Sequence, residues 1–370
     1  MIYNNTNAKL RILLSPLDWG LGHATRCIPI IKALISLDCV VIIASDKSIF
    51  ELLKKEFPTL EFVRMSGYEI KYSRKIGGFY LKMLSQLPSI ITAIRKENTD
   101  LKNIIEKYAI DAVISDNRFG LYSTNVPSIY ITHQLNIKTG FYLTDKIVTA
   151  IHRSFIKKFS VTWIPDFEKD GLAGELSHPK KLPDNSLYLG ALSRFTSHQS
   201  VNKKYNLLIS LSGPEPQRTI LENIILEQSQ HRKETILLVR GLQDSSENLT
   251  PTSDRLKIVN HLTARELNIA FDEADIVIAR SGYTTIMDLA KLNKKAILIP
   301  TPGQAEQVYL ANYLMEKNYF YSVNQTDFLL NDALEKVAEF HFKPLPFREE
   351  IFFQIISKFV ASLKSGNFVH

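Results

Sequence analysis

The sequence predicts an α/β protein built from two doubly wound, Rossmann-like domains. Three observations carry this. Short aliphatic or β-branched runs alternate with helical patterns along the whole chain, as parallel sheets covered by helices on both faces require. The series is interrupted around Gly190–Lys204, where Ser, His, Gln and Asn accumulate before a fresh strand. A length of 370 residues corresponds to about two domains.

Taken in order, the first strand candidates are Leu10–Ser15, Val40–Ala44, Glu61–Arg64, Ala112–Ser115, Ser128–Thr132 and Val161–Ile164. A second series comprises Leu187–Leu189, Asn206–Leu211, Thr235–Arg240, Leu256–Val259, Ile276–Ala279 and Ala296–Pro300. The run Ala296-Ile297-Leu298-Ile299 is apolar without alternation, which suits a strand buried on both faces. Helical spacing marks Arg26–Leu37, Leu101–Tyr108, Thr219–Gln228, Thr284–Lys291 and a last amphipathic helix over Glu349–Leu363. There is no fixed short repeat.

Composition narrows the function classes. Hydrophobic residues make up 45% and charged residues 22%, as in ordinary globular proteins. Two cysteines, Cys27 and Cys39, cannot form a disulfide framework or a four-ligand zinc site, and a reducing compartment is the simplest reading. No apolar run approaches the roughly 18 residues of a spanning helix, and Met1–Asn5 does not open a signal peptide, so a cytoplasmic protein is expected. The net charge of +7 is concentrated in the first half. Residues 64–96 carry a local +6 and residues 137–160 a local +4. In the first stretch Phe79, Tyr80, Leu81, Met83, Leu84 and Leu87 lie between the cations, a pattern that fits an anionic membrane surface. A solvated amphipathic helix packed on a sheet accounts for it equally. No basic recognition motif or aromatic stacking pattern speaks for nucleic acid.

Three strand-turn-helix junctions carry the chemistry. Pro16-Leu17-Asp18-Trp19-Gly20-Leu21-Gly22-His23-Ala24-Thr25-Arg26 follows the first strand. Its glycines permit close approach of a ligand, and ligands of parallel sheets bind beyond the strands' carboxyl ends. His23 there is a candidate general base, or a histidine bonded to a neighbouring loop. Asp18 and Asp116 reach the same end; Asp116 ranks second as base and can instead orient His23. The second junction runs from Ala279 to Ala290. Ser281, Gly282, Thr284 and Thr285 can offer hydroxyls and N–H groups to a diphosphate, and Asp288 a carboxylate to a ribose; a capped helix with Asp288 solvated is the alternative. The third, Pro300–Asn312, ends a strand at a Pro/Gly loop and opens a helix with Glu306 and Gln307, which can bind sugar hydroxyls or simply favour a helix start.

These three segments, in this order and spacing, resemble the GT-B glycosyltransferases of family 28, MurG-type. The likeness is most specific over Ala274–Gly282, the following helix and Pro300–Asn312, and weak between about residues 45 and 110. Thr132-His133-Gln134-Leu135-Asn136 is similar to the family's segment near the acceptor, and Gly190-Ala191-Leu192-Ser193-Arg194 to the stretch whose arginine meets the diphosphate. Ser210–Arg218, with Ser212 and Gly213, sits where the family has a Gly-Gly-Ser loop, but one glycine is gone and two prolines enter.

The resemblance implies two domains facing across a cleft. Residues 1–192 would hold a glycan or lipid-linked acceptor, with Gly20, Gly22, His133, Gln134 and Asn136 at it. Residues 193–348 would bind a UDP-sugar, a hexose or N-acetylhexosamine donor, and residues 349–370 would cross back. Arg194, Ser212, Gly213, Arg280, Ser281, Gly282, Thr284 and Thr285 would meet the diphosphate, Asp288 the ribose, Glu306 and Gln307 the sugar, and Leu262 the uracil, with Tyr283 and Gly303 also at the donor. No Asp-x-Asp motif is present, so a metal-independent, inverting transfer with no cofactor beyond the donor is implied. Gly20-Leu21-Gly22-His23 and Arg26 also resemble the nucleotide-sugar hydrolase of pseudaminic acid synthesis, in which the histidine activates water. A non-catalytic nucleotide-sugar-binding subunit is the third reading.

Overall fold

The computed structural model describes residues 9–67, 87–197, 202–230, 232–242, 249–251, 253–346 and 349–368. The chain divides into two compact units, residues 1–192 with 348–370, and residues 193–347.

Unit 1 contains β1 (Arg11–Pro16), α1 (Leu21–Ser36), β2 (Val40–Ser45), α2 (Lys47–Glu56), β3 (Glu61–Arg64), α3 (Leu87–Tyr108), β4 (Ala112–Asp116), β5 (Ser128–Ile131), α4 (Tyr142–Ile156), β6 (Val161–Ile164) and β7 (Ser186–Tyr188). The strands pair in parallel in the order β3-β2-β1-β4-β5-β6-β7. β1 and β4 are buried throughout their interior positions, as central strands under helices must be. The Leu187 run, expected to open the second series, instead pairs with β6 and closes this sheet.

Unit 2 contains β8 (Tyr205–Ser210), α5 (Gln217–Gln228), β9 (Ile236–Val239), β10 (Leu256–Val259), α6 (Ala264–Glu273), β11 (Ala274–Ala279), α7 (Tyr283–Lys291), β12 (Lys295–Leu298), α8 (Ala305–Glu316), β13 (Tyr321–Ser322) and α9 (Leu330–Glu339). Its parallel sheet runs β10-β9-β8-β11-β12-β13. Leu207, Ile209, Leu238, Ile278 and Ile297 share one core with Leu221 and Ile225 of α5. The last helix, α10 (Glu349–Lys364), belongs to unit 1, where it lies against α1 and sets Phe359 edge-on to Trp163 at 5.2 Å.

The first sheet places β1 and β4 side by side at its centre, and the second does the same with β8, β11 and β12. Within each unit the loops leaving the carboxyl ends of these strands gather at one edge, and they include the three junctions singled out above. The aromatic and basic stretch from Phe79 to Leu84 lies outside the described residues. Among the described residues no helix is long and apolar enough to cross a membrane.

Candidate active site

In unit 1 the site begins with strand register. β1 and β4 pair so that Pro16 stands opposite Asp116, and Leu17 N–H donates to the Asp116 carbonyl at 2.9 Å. The chain then passes Gly20, whose φ of 155° and ψ of 157° suit glycine, and enters α1 at Leu21, five residues earlier than the apolar spacing suggested. This early start puts His23 and Arg26 three apart on one helical face. Both meet Asp116.

Asp116 is fully buried, and Arg26 grips it with two nitrogens: Nε lies 2.8 Å from Oδ2 and Nη2 contacts Oδ1. His23 Nδ1 lies 3.1 Å from Asp116 Oδ2, and its side chain keeps 20% exposure. Burial alone would raise the Asp116 carboxyl, but the Arg26 and His23 interactions outweigh it and hold it at about 2. Burial, then the Arg26 charge, lowers His23, against the pull of Asp116. The result is a neutral imidazole at pH 7 beside a fixed carboxylate. Nδ1 lies 3.1 Å from the carboxylate and 2.8 Å from Arg26 Nη2: donating to Asp116 it leaves Nε2 with a lone pair to accept a proton, and accepting from Arg26 it leaves the N–H on Nε2. Asp116 is thus a clamped carboxylate in contact with the His23 ring. Cys27 Sγ lies 3.8 Å from the same carboxylate, and burial raises its thiol well above the ordinary range, so it is no nucleophile.

Beside this triad, the Asn117 amide, oxygen toward Arg26 Nη2 at 3.0 Å, has its nitrogen within reach of Thr132 Oγ1 at 3.0 Å. His133 is buried and adds to the lowering of His23. Asn136, expected at the acceptor, is held within the protein: Nδ2 donates to the Glu175 carbonyl at 2.7 Å and Oδ1 accepts from Arg153 at 3.0 Å. Gln134 remains half-buried, with its N–H bonded to Thr132 Oγ1.

In unit 2 the expected donor residues separate into two groups. Some wire the loops together. Arg280 is buried and donates to the carbonyls of Ile299, Pro300 and Gln217 and to Gln325 Oε1. Burial with no carboxylate partner lowers it to about 10, still charged at neutral pH. Ser281 Oγ donates to the Gln307 carbonyl at 2.8 Å, and the Gln307 amide accepts from Thr301 N–H and donates to Gln304 Oε1. These contacts tie the start of α7 to the start of α8, so the Ser281 hydroxyl and the Gln307 amide are engaged inside the protein. Tyr283 is buried.

The second group borders open space. A Cβ at Gly282 or at Gly303 would meet nothing within 4 Å. Gly282 caps α7 without a side-chain hydrogen bond, and the first turn holds no acidic residue, so its N–H groups are oriented for an anion. Thr284, Thr285, Glu306 and Leu262 are half-buried, and Ser212 and Gly213 are exposed after β8. Asp288 is buried; Ser193 Oγ donates to it at 2.6 Å, and burial raises it to about 6 against the pull of Arg194. Arg194 is half-buried, its guanidinium 5.1 Å from the Phe195 ring.

Sequence reasoning missed three features. Arg26 entered it only through a resemblance, although its spacing from His23 is the signal of a shared helix face. Gly241 went unnoticed: a Cβ there would lie 2.4 Å from the Leu211 carbonyl, so the loop before Ser212 depends on it. Glu222 accepts from both Arg218 and Arg240 in a buried network, whose arms reach Glu215 at 2.6 Å and Asn260 at 2.9 Å. The Glu215–Arg218 and Arg218–Glu222 pairs are local, at i,i+3 and i,i+4, but nothing local in the sequence joins them to Arg240 and Asn260.

Residues 213–349 match the glycosyltransferase family 28 C-terminal domain. Over 301 residues, 78% of each chain, the protein is 26% identical to the UDP-N-acetylglucosamine--N-acetylmuramyl-(pentapeptide) pyrophosphoryl-undecaprenol N-acetylglucosamine transferase of Haemophilus ducreyi. The enzyme of that name from Francisella philomiragia is 23% identical over 76% of this chain and 75% of its own. Among solved structures, the Acinetobacter baumannii MurG aligns over 97% of this chain and 95% of its own, with a TM-score of 0.54 at 13% identity. The glycosyltransferase of kitacinnamycin aligns over 97% and 96%, with a TM-score of 0.65 at 13% identity.

Proposed function

We propose that this MurG-like glycosyltransferase, a GT-B protein whose second unit carries the family 28 C-terminal domain, transfers N-acetylglucosamine from its uridine diphosphate to a lipid-linked acceptor, with unit 2 holding the donor and His23 of unit 1 as base. The observation that carries the reading is the His23–Asp116–Arg26 cluster, a neutral imidazole oriented by a buried, clamped carboxylate. The names of the relatives supply the sugar and the lipid-linked class of acceptor.

In this reading the acceptor hydroxyl gives its proton to His23 Nε2 as its oxygen attacks the anomeric carbon. The bond from that carbon to the diphosphate breaks, UDP leaves, and the configuration inverts. The developing negative charge is met by the N–H groups opening α7 at Gly282–Thr285 and by Arg194, in a metal-independent step. Asp288, Glu306 and Leu262 serve ribose, sugar and uracil respectively.

A lipid-linked acceptor brings the enzyme to a membrane face, and α4 supports that. Leu143, Ile147 and Ile151 form one exposed stripe at helical spacing, extended by Phe141 and Tyr142. Lys138 and Lys146 flank it, the latter 4.4 Å from the Tyr142 ring. Exposed apolar groups beside cations, Lys146 and the Glu175-paired Lys138, favour an anionic bilayer surface.

The test is UDP release from UDP-N-acetylglucosamine with and without lipid-linked acceptor. Acceptor-dependent release with a glycosylated lipid is the expected result. Acceptor-independent release of free sugar or sugar phosphate would make the protein a hydrolase, and absence of uridine nucleotide binding would overturn the reading altogether.

A further inference from the structure

At the opposite end of the unit 2 sheet, where the strands begin, two lysines converge. Lys203 Nζ donates to the carbonyls of Asp272 and Ala274 at 2.7 and 3.0 Å, and Lys294 Nζ donates to the same two carbonyls at 3.0 Å each. Both lysines line a cavity of about 1110 Å³. Lys294 is 8% exposed, whereas Lys203 reaches solvent. Two ammonium groups sharing one pair of acceptors repel, and the buried one yields its proton more readily. A neutral amine has two N–H groups and one lone pair. The two carbonyls match the N–H groups, which leaves the lone pair for the cavity.

Carboxylates near Lys294 oppose this, and each has another partner. Asp272, from the end of α6, accepts from Asn268 at 3.1 Å, and Asp275 of β11 from Asn206 at 3.3 Å. Glu273 pairs with Lys204. Lys233, Glu234 and Lys295 also face the cavity or its rim. Burial, then Lys203, brings Lys294 down to about 7, with Asp272 and Asp275 opposing.

We propose that the Lys294 ε-amine is a modification site that combines with carbon dioxide to form a carbamate, with the Lys203 ammonium as its counter-charge. The nitrogen lone pair forms a bond to the carbon of carbon dioxide, one C=O π pair moves onto oxygen, and an N–H proton leaves to solvent. Charge selects this electrophile. An aldehyde would give an iminium beside an ammonium, whereas carbon dioxide gives an anion beside one.

The experiment incubates the full chain with ¹³C-bicarbonate at pH 7.5, records the carbamate resonance, and traps the adduct with an alkyl oxonium salt for peptide mapping. A trapped carbamate on Lys294 is expected, lost in Lys294→Arg and reduced at least about tenfold in Lys203→Met, the equivalent of one charge interaction. In parallel, an amine-selective acylating reagent should modify Lys294 with a midpoint near neutrality. Absence of a Lys294 adduct in the unaltered protein, or an undiminished adduct in Lys203→Met, would overturn the proposal. Thermal unfolding of both variants shows whether either loss reflects misfolding.

Discussion

His23, Asp116 and Arg26 form one electrostatic cluster, and two of them predict different phenotypes. Replacing His23 by Ala should lower turnover by about 10²–10⁴, the range of general base catalysis, while UDP affinity measured by calorimetry is unchanged. Asp116→Asn removes the charge that orients the imidazole and should lower kcat by about 10² or more with little change in donor affinity. Because burial and Arg26 lower His23, the base stays unprotonated down to below pH 6.5, so the acid limb of kcat/KM should lie below that value. An acid limb above pH 6.5 would remove His23 as the base. Histidine as a candidate was legible, because a Gly-x-Gly-His turn follows an obvious strand. The clamp was not, since Asp116 lies 93 residues away and meets His23 only through the register of β1 and β4.

Elements were legible where periodicity was strong and misplaced where a turn decided them. The central strands announce themselves as unbroken aliphatic runs. The start of α1 does not, because Gly22 and Thr25 are weak helix formers and the short Leu21–Thr25 turn shows no apolar periodicity. β7 carries only three residues with Leu187 exposed, so neither alternation nor burial revealed which sheet it joins. Two outcomes test the elements. Leu143→Asp combined with Ile147→Asp should abolish cosedimentation with anionic vesicles and leave turnover on a detergent-dispersed acceptor within about twofold, because single exposed positions contribute little to folding. Gly241→Ala forces a Cβ against the Leu211 carbonyl at a φ of 76° and should destabilise unit 2 by about 1–3 kcal/mol in thermal unfolding, weakening donor binding with it.

On the scale of the whole molecule, opposing carboxylates set the pH response. Asp116, held at about 2, stabilises unit 1 fully above the unfolded value near 4, and this is lost as pH falls toward 2. Asp288, raised to about 6, does the reverse: its favourable contribution is complete below about 4 and disappears as pH rises through 6. Asp288→Asn should therefore raise the stability of unit 2 at pH 7 by about 2 kcal/mol and leave it unchanged at pH 4, as read by thermal unfolding at the two pH values. A loss of donor affinity in the same variant would support the ribose assignment. The two series of aliphatic runs made a pair of parallel sheets readable from sequence. The loop wiring was not readable: nothing local in the sequence joins Arg280 to its four acceptors.

Unit 1 is assembled from both ends of the chain, with α10 covering Trp163 through Phe359. During synthesis on the ribosome, the first half emerges lacking its final piece and waits while the intervening residues, 193–347, are made. The domain that starts first thus finishes last, and a premature stop near the end of the message damages the beginning of the protein.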